Sequence, residues 1–285
     1  MLDLSTQVSF EFFPPADAAA EAALWETIKR LAPLAPGFVS VTYGADGSTR
    51  DRTQAWVSRI RREARLESVP HLTCVGATRE ETLDIARRYH QEGVRHIVAL
   101  RGDPPQGSVG YRPHPGGFAY ACDLVTGLRS VAPFEISVAA YPETHPEAPS
   151  AAADIDHLRA KFDAGATRAI TQFFFENDDF LRFRDRCAAA GIVAPLVPGI
   201  LPITRFSQVA RFAARCGAKV PAWLAARFEG VDHDPAARLG VATDFAIEQV
   251  SALRRHGVRD LHFYTLNRAE PTLAVCEALR LRAAA

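Results

Sequence analysis

The stretch Val8-Ser9-Phe10-Glu11-Phe12-Phe13-Pro14-Pro15 reads as a short apolar strand that stops at its prolines, which cannot donate to a sheet ladder. The segment after a first strand separates two α/β architectures. An open doubly wound sheet normally carries a glycine-rich phosphate loop there, whereas a closed barrel needs none. Phe-Phe-Pro-Pro occupies that position, so the sequence predicts a (β/α)8 TIM barrel. The same stretch sets one carboxylate, Glu11, near the strand's C-terminal end. Among three phenylalanines a charged carboxylate is poorly solvated, which makes Glu11 a candidate acid near neutral pH. A buried ion pair with an arginine explains it equally well at this point.

Downstream, the hydrophobic period alternates between helix and strand. Leu24, Ile28, Leu31 and Leu34 mark a helix ended by Pro36-Gly37, and Phe38 to Gly44 reads as the second strand. Ser48 with Asp51, and Thr78 with Glu81, have the spacing of capping boxes that open the next two helices. Further strands are expected over 71–76, 95–101, 134–141, 168–175, 194–200 and 260–266, with Asn177 capping the helix after the sixth. Gly93-Val94-Arg95, Gly165-Ala166-Thr167 and Gly257-Val258-Arg259 repeat one junction, a helix-ending glycine before a strand. Pro221 and Asp234-Pro235 start extra helices between strands seven and eight. The 285 residues suit one barrel domain over 1–285, where ~250 is typical. The Pro- and Gly-rich loop 102–117 is long enough to bind a ligand, yet it lacks the lysine of a phosphate loop.

Composition narrows the function classes. Lys+Arg and Asp+Glu are equal at 33, so no basic excess points to nucleic acid. The five cysteines are scattered without a CxxC pair, which argues against a zinc site and for reduced thiols. The N-terminus is short and polar and no long apolar run follows, so a cytoplasmic protein without membrane contact is expected. Barrels associate through outer helices, and a homo-oligomer is expected here.

Catalytic groups of a barrel come from the C-terminal ends of its strands. Those ends supply Glu11, Thr42, Arg101 with Asp103, Tyr141 with His145, Gln172, and Tyr264 with Arg268. Amides, carboxylates and aromatic rings suit a flat heteroaromatic ligand. No strand end offers a metal-ligand set, a GxSxG elbow or a Schiff-base lysine.

The motifs Phe10-Glu11-Phe12-Phe13-Pro14-Pro15, Val41-Thr42-Tyr43-Gly44, Ala99-Leu100-Arg101-Gly102-Asp103, Ala139-Ala140-Tyr141-Pro142-Glu143, Thr171-Gln172-Phe173-Phe174-Phe175, Pro198-Gly199-Ile200-Leu201-Pro202 and Phe263-Tyr264-Thr265-Leu266-Asn267-Arg268 span nearly the whole chain. In this order they resemble bacterial-type methylenetetrahydrofolate reductase. The resemblance implies an FAD-bearing barrel that takes a hydride from NADH or NADPH and passes it to 5,10-methylenetetrahydrofolate. It places the catalytic acid on Glu11 and a carboxylate near flavin and pterin on Asp103. Substrate contacts fall on Gln172, Phe212, Tyr264 and Arg268. FAD contacts fall on Thr42, His71, Arg101, Gly102, Asp103, Tyr120, Ala121, Tyr141, His145, Asp154 and Lys161. His71 also reads as a core histidine, Asp154 as a first-turn helix carboxylate and Phe212 as core. The segment 104–120 is longer than in familiar bacterial members. The chain ends soon after the eighth helix, which implies the catalytic barrel without the S-adenosylmethionine-sensing domain of eukaryotic relatives. A flavin-free barrel lyase or aldolase, and a folate- or flavin-binding protein, are the competing expectations.

Overall fold

The computed structural model describes residues 6–44, 49–104, 110–231 and 233–281. Eight parallel strands close on themselves in sequence order: β1 Gln7–Phe12, β2 Phe38–Val41, β3 Ser68–Thr73, β4 His96–Leu100, β5 Glu135–Ala140, β6 Arg168–Phe173, β7 Leu196–Ile200 and β8 Asp260–Tyr264. Around them run helices α1 Ala18–Leu31, α2 Arg50–Arg59, α3 Arg79–Gln91, α4 Ala121–Val131, α5 Ala151–Asp163, α6 Asn177–Ala189, α7 Phe206–Cys216, α8 Ala222–Arg227, α9 Pro235–Arg255 and α10 Ala269–Ala278. The predicted barrel is therefore present, with three helices between β7 and β8. Pro221 precedes α8, and Asp234 caps α9 by accepting the Ala236 and Ala237 N–H groups.

Local chemistry explains most boundaries. Gly93, Gly165 and Gly257 take φ of 89°, 112° and 88°, the left-handed turn that lets each helix stop and a strand begin. The Thr78 and Glu81 capping box forms as expected. Two caps differ. Ser48 lies outside the described residues, and α2 begins after Thr49 without a side-chain cap. Glu176, not Asn177, holds the cap position of α6, because the Asn177 side chain donates instead to Gln249 O of α9 at 3.0 Å.

Strand alternation divides the core in two. Phe10, Phe12 and Phe263 are fully buried and pack outward against the helices, with Leu24, Ile28 and Leu31 of α1 in the same cluster. The opposite face of the strands fills the barrel. Phe38, Val69, Val98, Ile170 and Val197 form its apolar centre. Above them, toward the C-terminal ends, the inward positions turn polar.

Candidate active site at the mouth of the barrel

Because β1 alternates, Glu11 points into the barrel while Phe10 and Phe12 point away from it. The phenylalanines therefore do not jacket the carboxylate, and Phe13 is 39% exposed. No arginine pairs with it among the described residues either. Its neighbours are two imidazoles: His71 Nε2 lies 3.4 Å and His262 Nε2 3.7 Å from Glu11 Oε2. Both nitrogens are buried without a hydrogen-bond partner among the described residues. Barrel closure makes this cluster, since β1 pairs with β8 in a register that sets Ser9 beside His262 and Glu11 beside Tyr264.

Ser9 orders the second imidazole. Its hydroxyl donates to Leu261 O at 3.2 Å, so its oxygen accepts from His262 Nδ1 at 2.8 Å. In the neutral ring this leaves the Nε2 lone pair facing Glu11. Burial lowers His71 to about 4 against the opposing pull of Glu11, so that ring is uncharged at neutral pH. Sequence reasoning passed over Ser9 and His262. The available signal was their spacing, two residues before Glu11 and Tyr264 and therefore on the same strand face.

His96, deeper in the barrel, is lowered to about 3 by burial, with Arg168 adding to the effect. Unfolded, both rings take a proton near 6.5. Between these values the unfolded chain binds more protons, so stability falls as pH drops from about 6.5 toward 4. The expected loss is on the order of 3 kcal/mol per histidine. Urea midpoints from pH 7 to 4.5 should fall steeply for the wild type and less so for His71→Gln or His96→Gln. An unchanged slope in both variants contradicts the assignment.

Aromatic and amide groups ring the acid. Tyr264 donates to Thr171 O at 2.7 Å, and Gly199 makes room for its ring, since a Cβ there would lie 2.4 Å from Tyr264 Cε2. Gln172 sits at the β6 irregularity with its Oε1 turned to the Phe173 N–H at 3.1 Å. Phe212 of α7 is half-buried and stacks on Phe173, with centroids 5.3 Å apart. Thr42 closes the β2 end, its N–H donating to Phe12 O. Burial pushes the Cys216 thiol up to about 11, with Asp103 and Glu11 adding to the shift and Arg215 opposing it. Arg268 follows β8 and holds the cap position at the start of α10. It is exposed on the rim, lining a cleft with Arg238 and Glu270.

A second group gathers beyond β4 and β5. Arg101 donates through Nε to Gly102 O at 3.1 Å and through Nη1 to Glu147. Gly102 takes φ 87°, a conformation that favours glycine. Lys161 reaches back to donate to Ala139 O at 2.8 Å, and burial lowers its pKa while Asp154 opposes the shift. Asp154 accepts the His145 backbone N–H at 2.9 Å. His145 Nδ1 accepts the Glu147 N–H, which leaves Nε2–H as a free-standing donor in the neutral ring, and the ring meets Tyr141 edge-on at 4.5 Å. Thr144, between them, is held at φ 85°, a region that β-branched residues rarely enter and that clusters at ligand-binding loops. Tyr120 is 56% exposed just before α4, which begins at Ala121. Two cations, an imidazole donor and an exposed aromatic ring form a donor set that fits a dinucleotide's diphosphate and base.

A cavity of about 420 Å³ also opens at the other end of the barrel, lined by Phe38, Arg95, His96 and Arg168. Catalytic groups of such barrels converge at the C-terminal ends instead, where Glu11 and its ring of polar groups lie. Fold and site together define a (β/α)8-barrel protein with an imidazole-flanked glutamate at the C-terminal mouth of the barrel. Comparison with known proteins makes this specific: the family model for methylenetetrahydrofolate reductase matches residues 3–280, and the chain belongs to that family. It is 53% identical to 5,10-methylenetetrahydrofolate reductase of Escherichia coli K12 over 275 residues, which are 96% of this chain and 91% of that one. The Pectobacterium carotovorum enzyme of the same name is 52% identical, covering 96% and 90%. Methylenetetrahydrofolate reductase (NADH) 1 of Arabidopsis thaliana is 38% identical across 92% of this chain but only 46% of the plant protein. Among solved structures, an uncharacterized Clostridium thermocellum protein that binds two copies of 5-methyl-5,6,7,8-tetrahydrofolic acid superposes with a TM-score of 0.65 at 13% identity, covering 97% and 96% of the two chains, a likeness of fold. No helix among the described residues is long and apolar enough to cross a membrane.

Proposed function

We propose that this chain reduces 5,10-methylenetetrahydrofolate to 5-methyltetrahydrofolate, with FAD at the barrel mouth and NADH or NADPH as reductant. The observation that carries the proposal is Glu11, an acid held between two imidazole nitrogens at the bottom of an aromatic, amide-lined opening. Opening the five-membered ring of the substrate requires a proton at its departing nitrogen, and a carboxylic acid is suited to give it. The donor set of Arg101, Lys161 and the His145 Nε2–H would hold the FAD diphosphate. Bound there, FAD would supply the redox chemistry that links nicotinamide to folate.

The chain's own residues do the rest. Glu11 delivers the proton. His262, oriented by Ser9, faces it with its Nε2 lone pair. Tyr264, pushed upward by burial and by Glu11, stays a neutral phenol and fixes the floor of the opening through Thr171 O. Gln172 and Asp103 supply an amide and a carboxylate to pterin N–H and carbonyl groups. Phe212 would cover the pterin or the nicotinamide. NADH is the expected reductant, in line with the name of the plant relative.

Absorbance spectra and steady-state kinetics test this. The purified protein should show flavin bands and oxidise NADH faster than NADPH, with oxidation coupled to consumption of methylenetetrahydrofolate. A colourless protein that binds no added FAD would overturn the proposal.

A further inference from the structure

The cavity of about 420 Å³ at the N-terminal end of the barrel takes no part in the chemistry proposed above. Strand alternation fixes what faces it. Asp260 shares a strand face with His262 and Glu67 shares one with Val69, while His96 pairs with Glu135 and Ser137 with Arg168. Phe38 meets the His96 ring edge-on at 4.8 Å and stacks on His262 at 5.7 Å, so the apolar layer around it separates the cavity from Glu11. The charges at the cavity are only partly matched. Arg168 Nη2 donates to Glu135 Oε2 at 3.0 Å, but Nε and Nη1 have no partner among the described residues. Glu67 Oε2 accepts from Arg61 at 3.0 Å, whereas its Oε1 is buried without a partner among the described residues. Asp260 has no side-chain partner there either. His96 has a side chain only 5% exposed. Its Nε2 lies 2.8 Å from Ser137 Oγ, and its Nδ1, 3.9 Å from Glu135 Oε2, makes no hydrogen bond among the described residues. An ionic plug that served stability alone would pair these groups with one another, since a buried polar atom left unmatched costs roughly 1–3 kcal/mol.

We infer that this cavity is a binding site for a small zwitterion, an α-amino acid with a large apolar side chain. Its carboxylate takes the open Nε and Nη1 edge of Arg168, which can donate to both oxygens at once. Its ammonium donates to Glu67 Oε1 and to Asp260, with His96 Nδ1 as a third acceptor when the ring proton sits on Nε2. The side chain lies against Phe38, Val197 and Pro133, which line the same space. The volume falls within the range of small-molecule sites, about 300–1,000 Å³. A simple anion would meet Glu67 and Asp260 with like charge, and a simple amine would leave the Arg168 edge open. Only a ligand that carries both charges matches both sets of unspent groups. Because the apolar layer of the barrel lies between this site and Glu11, ligand and folate would not displace one another.

Calorimetric titration of the whole protein with L-leucine and L-phenylalanine tests this. No folate or nicotinamide is present, so the outcome is independent of the reductase reading. At least one of the two should bind with a Kd below about 1 mM. Leucinamide, which lacks the carboxylate, and isocaproate, which lacks the ammonium, should each bind at least about tenfold more weakly than leucine, the loss of one charge-assisted pair. Arg168→Gln should weaken leucine by a similar factor and change leucinamide by less than about twofold. Glu67→Gln should weaken leucine and change isocaproate by less than about twofold. If Arg168→Gln does not fold, the analogue series on the wild type and Glu67→Gln decide. No amino acid binding tighter than about 1 mM overturns the site. Equal binding of leucine and its two analogues overturns it as well, and so does binding that Arg168→Gln and Glu67→Gln leave intact.

Discussion

Glu11→Gln is expected to lower turnover of methylenetetrahydrofolate by about 10²–10⁴-fold, the usual range for removing a general acid. The amide matches the carboxyl in shape but cannot give up a proton on demand. The fold should tolerate it, because no described cation is paired with Glu11 and its neighbours are imidazoles with unsatisfied nitrogens. Reduction by NADH should survive, since hydride entry needs no proton at the folate nitrogen, and the variant should still pass electrons to an artificial acceptor. His262→Gln and Ser9→Ala should cost less, since they alter the surroundings of the acid and not the acid itself. Stopped-flow measurement of the two half-reactions separates these effects. Normal folate turnover by Glu11→Gln, with a thermal midpoint like the wild type's, removes the acid from the mechanism.

The architecture could be read from local chemistry. Four αβ junctions carry their own signal, a glycine at positive φ before a strand (Gly93, Gly165, Gly191 and Gly257), and the segment after β1 has no glycine-rich loop of an open sheet. The location of the acid could also be read, since a strand end is a local property. Its surroundings could not. Glu11 lies among phenylalanines only along the chain, and in space they belong to the outer layer. Its true neighbours come from β3 and β8, one of them 251 positions away, and only the closure of the sheet and its register bring them together. The resemblance likewise named Arg268 from a motif, and the structure adds that it is exposed on the rim. A motif fixes the order of residues, but the register of eight strands decides which of them share a face.

Gly199→Ala is expected to be the most damaging single-methyl change at the site. Gly199 lies in β7 with unremarkable backbone angles, so the demand is for space and not for a left-handed conformation. A Cβ would stand 2.2 Å from Thr171 O and 2.4 Å from Tyr264 Cε2. Neither can yield freely. Thr171 O accepts the Tyr264 hydroxyl at 2.7 Å, and the Thr171 side chain accepts the Gly199 N–H at 2.9 Å, so strand, ring and carbonyl are mutually fixed. The methyl must part β6 from β7 or expel the ring, at a cost of about 1–3 kcal/mol. That lowers the thermal midpoint by roughly 2–10 °C. Displacing the ring by an ångström also disturbs the floor beneath the substrate, a shift worth about 10²-fold in kcat/KM. Tyr264→Leu separates the two effects. Combined with Gly199→Ala it should recover part of the stability, because the ring clash is gone, but none of the activity. Wild-type stability and kinetics in Gly199→Ala would mean that Tyr264 is not held where the described geometry puts it.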